Sequence, residues 1–224
     1  MKRSDFVNAC IRRAEKDYIT RWTINAKQHF TDGDYGWICD LINKKPQGYS
    51  FHRVLEIGCG AGYSTLAFVL KGFEVLAIDV NKEAIIQTKT LVENYAYHPK
   101  VVDVSSCMSD GEGVLLWEVD LIHEFVKIRK YVDEQKDNLI DLIVLCNPGG
   151  QLTTELTLQE YKYLNWGGFT ENEIRETYQI GNVGLLHKWA MIYAACGLSQ
   201  MTGIPILIIE RGTREEVQRN LQQI

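Results

Sequence analysis

The run "RVLEIGCGAGYSTLAFVLKGFEVLAIDV", residues 53–80, sets three glycines on alternate positions between two apolar segments. After the strand "RVLEI" the chain must turn sharply, pass close to whatever lies above it and enter a helix. Glycine lacks the Cβ that blocks both the turn and the approach, so Gly58, Gly60 and Gly62 suit a ligand-facing loop. The next apolar run ends in Asp79, about twenty residues on, where a carboxylate accepts hydrogen bonds from both hydroxyls of a ribose. Loop and acid together point to an adenosine-type ligand.

From Arg53 onward, short β-rich runs alternate with helical ones, the pattern of parallel βαβ units. Strands are predicted at 53–57, 74–79, 100–105, 140–146 and 204–210, and helices at 61–71, 82–96, 119–135, 181–200 and 213–223. Gly72 stands where a helix-ending glycine belongs, and Asn81 precedes "KEAIIQTKTLVEN" as an N-cap. "LIDLIVLCN" is almost continuously apolar, as a central strand covered on both sides requires. The fold class is therefore α/β, a doubly wound, mainly parallel sheet with helices on both faces. Upstream, "DFVNACIRRAEKDYI" and "GDYGWICDLINKK" have helical spacing, the second capped by Asp32 or Asp34 and ended before Pro46. Residues 1–50 read as a helical prefix or lid.

The chain has 224 residues, enough for one domain with a large core and too few for a second full one. Apolar residues make up 46% and charged residues 24%, as in ordinary globular proteins. A net charge of −5 argues against a broad phosphate-binding face and so against nucleic-acid partners. The six cysteines show no C-x-x-C and no zinc-like spacing, so they read as free thiols in a reducing cytosol, with no metal site. The N-terminus lacks the apolar stretch of a secretion signal, which fits a cytoplasmic protein. "WAMIYAACGLSQMTGIPILII" carries no charge, but its glycines and proline divide it into a helix end, a turn and a buried strand, not a membrane span.

Two cofactor classes use a glycine loop with a ribose acid. A dinucleotide fingerprint, G-x-G-x-x-G, needs its last glycine at the position of Tyr63. The chain instead resembles the class I, Rossmann-like S-adenosylmethionine-dependent methyltransferases, whose first motif is acidic-x-G-x-G-x-G. Glu56, Gly58, Gly60 and Gly62 match that motif, and Asp79 matches the second-strand acid. The resemblance runs from about Arg53 to Asn147 and makes 51–224 one Rossmann-like domain. It implies that the backbone of Gly58, Cys59 and Gly60 packs on the methionyl part of S-adenosyl-L-methionine. Glu56 then orders the loop or reaches the cofactor amino group, Asp79 holds the ribose and Val80 lies under the adenine. The residue for the adenine amino group is Asp110 in "CMSDGEG", although Asp110 and Gly111 also form an ordinary turn pair.

The residues after the fourth strand, "CNPGGQL", should face the reacting methyl group. Asn147 and Pro148 resemble the first half of the pattern of amino-group methyltransferases, while Gly149 and Gly150 do not supply its second proline and aromatic. Either another aromatic, Tyr161, Tyr163 or Trp166, supplies a stacking face, or the substrate is not flat; "NPGG" is also a common turn. The aromatic insert at 151–181 is too long for a plain connection and is expected to shape the substrate pocket. His29, beside Phe30, Asp34, Tyr35 and Trp37, is the candidate base or a packing residue in the lid, with Tyr35 a candidate substrate contact.

Methyltransferases of this class usually end in an antiparallel hairpin. Here "TREEVQRNLQQI" reads as the fifth helix, so the expectation is a sheet without that hairpin. The strand "IPILIIERG" then becomes an apolar edge, which a homodimer or the insert would cover. The expected activity is methyl transfer to a small molecule, with nitrogen among the acceptor atoms. The alternatives are amino-group methylation of a nucleobase or protein side chain, and a methyltransferase-like protein that binds the cofactor without turnover.

Overall fold

The computed structural model describes residues 23–44, 51–95, 100–101, 113–134, 140–146, 172 and 183–209. Residues 23–31 are helical. The elements that follow are α1 (Asp34–Asn43), β1 (Arg53–Ile57), α2 (Tyr63–Leu70), β2 (Glu74–Asp79), α3 (Lys82–Glu93), β3 (Lys100–Val101), β4 (Val114–Glu118), α4 (Phe125–Glu134), β5 (Leu142–Cys146), α5 (Val183–Thr202) and β6 (Ile206–Ile209). The sheet order is β3-β4-β2-β1-β5-β6, and every pairing among the described residues is parallel. Parallel neighbours need crossovers, and the helices between them supply these on both faces.

Side chains on each strand alternate between two cores, as period-two geometry requires. Val54, Val75, Ala77, Val114, Leu116 and Val144 face α1, α2 and α3, whose Ile38, Phe68 and Ile85 join them. Leu55, Leu76, Ile78, Leu115, Trp117 and Ile143 face α4 and α5, meeting Ile128, Val132, Ala195 and Leu198. The sheet is thus covered on both sides, and the five residues of β5 are all buried.

Three expectations change. The strand expected at 100–105 is described only at Lys100–Val101, where it forms the sheet edge, and a strand that was not expected, β4 at 114–118, stands between it and β2. The following helix starts at Phe125 rather than 119, because residues 119–124 form the turn that caps it. The helix at 34–43 is capped by neither acid: Gly33 is its N-cap at φ 77°, and no side chain closes it. Asp34 lies in its first turn, and Asp32 accepts from the Gln28 amide.

The prefix is also less separable than a lid. Tyr35, Ile38, Cys39 and Ile42 of α1 are buried in the first core. Burying such side chains is worth roughly 1.5–3 kcal/mol each, so α1 is a structural helix of the domain. The uncharged stretch at 189–209 divides into the end of α5, a turn at Gly203–Pro205 and β6, and no described helix is long and apolar enough to cross a membrane.

Candidate functional site

In a parallel sheet the strand ends that precede the helices all point to one rim. The glycine loop lies on that rim between β1 and α2. Its backbone is held almost entirely by the protein: Gly58 and Cys59 N–H groups donate to the Ile78 carbonyl at 2.8 and 3.2 Å, Gly60 N–H to Asp79 Oδ2 at 2.9 Å and Gly62 N–H to the Cys59 carbonyl at 2.9 Å. Thr88 Oγ1 on α3 donates to the Gly60 carbonyl at 3.1 Å. With these four N–H groups committed inside, they are not offered to a pyrophosphate, the ligand of a dinucleotide loop.

The three glycines do different work. A Cβ on Gly62 would stand 2.7 Å from Thr88 Cα, so this glycine lets α2 and α3 touch. A Cβ on Gly58 or Gly60 would meet nothing within 4 Å, and both residues have positive φ, at 77° and 56°. That open side of the backbone is where a ligand can press against the loop. The Cys59 side chain is buried beneath it, and burial, with Asp79 and Glu56 nearby, pushes its thiol well above the usual range.

Glu56 lies inside β1 with no solvent exposure. Its carboxylate accepts from Ser64 Oγ and, at 2.5 Å, from Thr65 Oγ1, which fastens the first turn of α2 to the strand. Burial pushes its pKa up to about 7; the two hydroxyls pull it down and Asp79 pushes it up. Asp79 ends β2 half-buried. Its Oδ1 accepts from Asn81 N–H at 2.8 Å and its Oδ2 from Gly60 N–H, and a carboxylate has further lone-pair positions that a sugar can use. Desolvation raises its pKa against the pull of the Asn81, Gly60 and Val80 amides. Val80 follows, half-buried.

The acid expected after the third strand, Asp110, lies outside the described residues. In the chain it precedes β4, the strand that borders β2. That strand ends at Glu118, exposed and in register with Asp79, and Asp120 follows it. Asp120 Oδ1 accepts from Ile122 N–H at 2.8 Å, and its Oδ2 lies 2.7 Å from His123 Nδ1. Burial opposes its ionisation, but the bonds from His123 and Ile122 prevail and hold its pKa below the usual value. Sequence reasoning missed this residue, although "VLLWEVD" repeats the strand-then-acid form of "VLAIDV".

Among the remaining candidates, Asn147, Pro148 and Tyr161 lie outside the described residues. Cys146, which ends β5 just before Asn147, is buried with a raised thiol pKa. Tyr35 is 5% exposed and belongs to the core. His29 is more open: its Nδ1 lies 2.9 Å from Asp34 Oδ2, its ring meets Tyr35 edge-on at 6.0 Å, and the adjacent Phe30 packs on Tyr63 at 5.7 Å. Tyr63 begins α2 immediately after Gly62, so the prefix abuts the glycine loop.

Residues 43–139, somewhat less than half of the chain, match the family described as "Tellurite resistance protein TehB", a family of S-adenosylmethionine-dependent methyltransferases. No curated protein matches the chain. Among solved structures, the plantazolicin methyltransferase BpumL in complex with SAH is similar at 13% identity and a TM-score of 0.37, covering 88% of this chain and 79% of that one.

Proposed function

We propose that the chain, which carries a class I, Rossmann-like S-adenosylmethionine-dependent methyltransferase core, transfers a methyl group to a small molecule. The observation that carries this reading is the open backbone at Gly58 and Gly60 beside the half-buried Asp79 carboxylate. The loop takes the methionyl part, Asp79 takes the ribose and Glu56 holds the loop against α2. When bound, S-adenosyl-L-methionine supplies an electrophilic methyl on a sulfonium sulfur. The protein's part is to align the acceptor and to keep water out.

Nitrogen remains among the acceptor atoms, and the description of the matched family adds tellurium oxyanions to the compounds worth offering. Asn147 and Pro148 are proposed to face the acceptor, with Tyr161 along the pocket. The four described cysteines, Cys39, Cys59, Cys146 and Cys196, are free; a cytoplasmic location is part of the proposal. β6 ends the sheet among the described residues, which supports self-pairing there and is checked by light scattering.

Calorimetry with S-adenosylhomocysteine tests the reading. The wild type should bind it and not NADH, and Asp79→Ala should lose at least about tenfold in affinity, since a hydrogen bond to a charged group is worth roughly 1.5–3 kcal/mol. Asn147→Ala should keep that affinity and lose turnover. Binding of NADH in place of S-adenosylhomocysteine overturns the proposal.

A further inference from the structure

We propose that His29 and Asp34 form a proton-accepting dyad, and that the methyl acceptor is accordingly a small molecule whose nucleophilic atom carries a proton at neutral pH. The inference rests on the methyltransferase reading and names the acceptor class within it.

An imidazole works as a base when one nitrogen is held as N–H and the other keeps its lone pair. Asp34 Oδ2, 2.9 Å from Nδ1, holds the first nitrogen as the donor. Nε2 has no hydrogen-bond partner among the described residues, so its lone pair is unspent. The side chain is 38% exposed, enough for a small molecule to reach it. The Tyr35 ring, edge-on at 6.0 Å, limits how the imidazole turns.

Position supports the same role. Phe30, next in the chain, packs on Tyr63, and Tyr63 directly follows the cofactor loop. Tyr35 is buried in the cluster that also holds Cys59 of the loop, and Phe30 and Tyr63 pack against it. The dyad is therefore anchored next to the start of α2, beside the glycine loop. The step it performs is a proton transfer. The acceptor's X–H bond breaks, its electron pair stays on X, and the proton forms a new N–H bond at Nε2. The resulting imidazolium is stabilised by the Asp34 carboxylate until the proton leaves to solvent. Ammonium, thiol and phenol groups all need such a step before they attack.

The test combines a spectroscopic and a kinetic readout. Nitrogen-15 NMR of the wild type should show His29 protonated at Nδ1 and bare at Nε2, a preference that Asp34→Asn should abolish. His29→Gln and Asp34→Asn should then lower kcat by about a hundredfold or more with benzylamine, 2-mercaptoethanol and phenol as probes. With 4-nitrothiophenol, already ionised at neutral pH, the loss should vanish, and the Kd for S-adenosylhomocysteine should stay within about twofold. A wild-type His29 protonated at Nε2 overturns the inference. So does an equal loss with all four probes, or the methylation of none of the three proton-bearing ones by a protein that binds S-adenosylhomocysteine. Failure to bind S-adenosylhomocysteine sinks the methyltransferase reading itself, and the dyad with it.

Discussion

The first and second strand-to-helix turns have the same job in the fold and are built in opposite ways. Between β1 and α2 the turn is glycine-rich, α2 has no side-chain cap, and two of the glycines face open space. Between β2 and α3 the turn is closed by side chains: Asn81 accepts from Glu83 N–H at 2.9 Å, and Asp79 folds back onto Asn81 N–H. A helix N-terminus with no cap has donors to satisfy, whereas a capped one has fewer. The contrast sets one turn left open beside one closed by the protein's own side chains, and the proposed function places the ligand at the open one. The two are joined where Asp79 takes the Gly60 amide and Thr88 takes the Gly60 carbonyl.

The largest test of that join is Gly62→Ala. The new methyl would meet the Thr88 backbone at 2.7 Å at a residue held at φ 80°. Overpacking costs about 1–3 kcal/mol and left-handed backbone with a Cβ about 1–2 more. A loss of roughly 4 kcal/mol in urea denaturation follows from the two effects acting together. A loss below about 1 kcal/mol would mean that α2 and α3 are not in contact through this residue.

Glu56 probes the same turn from beneath. Its folded pKa of about 7 exceeds the ordinary value of 4.5, so between those values the native state binds more protons than the unfolded chain. Stability from this group is full below about pH 4.5 and is lost as pH rises through about 7, with a slope of up to about 1.4 kcal/mol per pH unit. Comparing wild type with Glu56→Gln isolates the group from other acids. The difference between the two should change steadily across that window; a flat difference would show that Glu56 is ionised throughout.

How far these turns are legible in the sequence follows from their chemistry. Gly58, Gly60, Asp79 and Asn81 each sit where an apolar run stops, so a break in pattern marks them. β4 was illegible for the converse reason: the Ser, Asp and Gly residues of 105–113 obscure where the third strand should start, and "VLLWE" is too short to declare itself as strand or helix. With β4 out of view, the sequence points to Asp110 and passes over Asp120, which follows that strand. The burial of α1 was hidden as well, because charged residues on both sides of "YGWICDLI" suggested a surface cover, while contact with the sheet through Tyr35, Cys39 and Ile42 depends on tertiary packing. The residues expected to choose the acceptor, 147–181, lie outside the described residues except for Asn172.

Gly58→Ala should separate folding from binding. With no atom within 4 Å of the new Cβ, only the cost of φ 77° remains, about 1–2 kcal/mol, well short of the effect at Gly62. Its affinity for S-adenosylhomocysteine should nevertheless fall more than that of Gly62→Ala measured below its melting temperature, because the methyl occupies the open face proposed to take the ligand. Equal affinity in the two variants would move the ligand away from the loop.

Asn81→Ala gives the smallest effect and bears most directly on the contrast between the turns. Losing an N-cap costs about 1 kcal/mol, and here the capping bond lost is that to Glu83 N–H. The Asn81 amide that Asp79 holds is a backbone group, so the substitution leaves it in place along with the Gly60 amide. Asp79 therefore keeps its geometry, and S-adenosylhomocysteine should bind with unchanged Kd while thermal unfolding shifts down by a few degrees. If affinity falls with the cap, the second turn is also part of the ligand site, and the division between an open turn and a closed one fails.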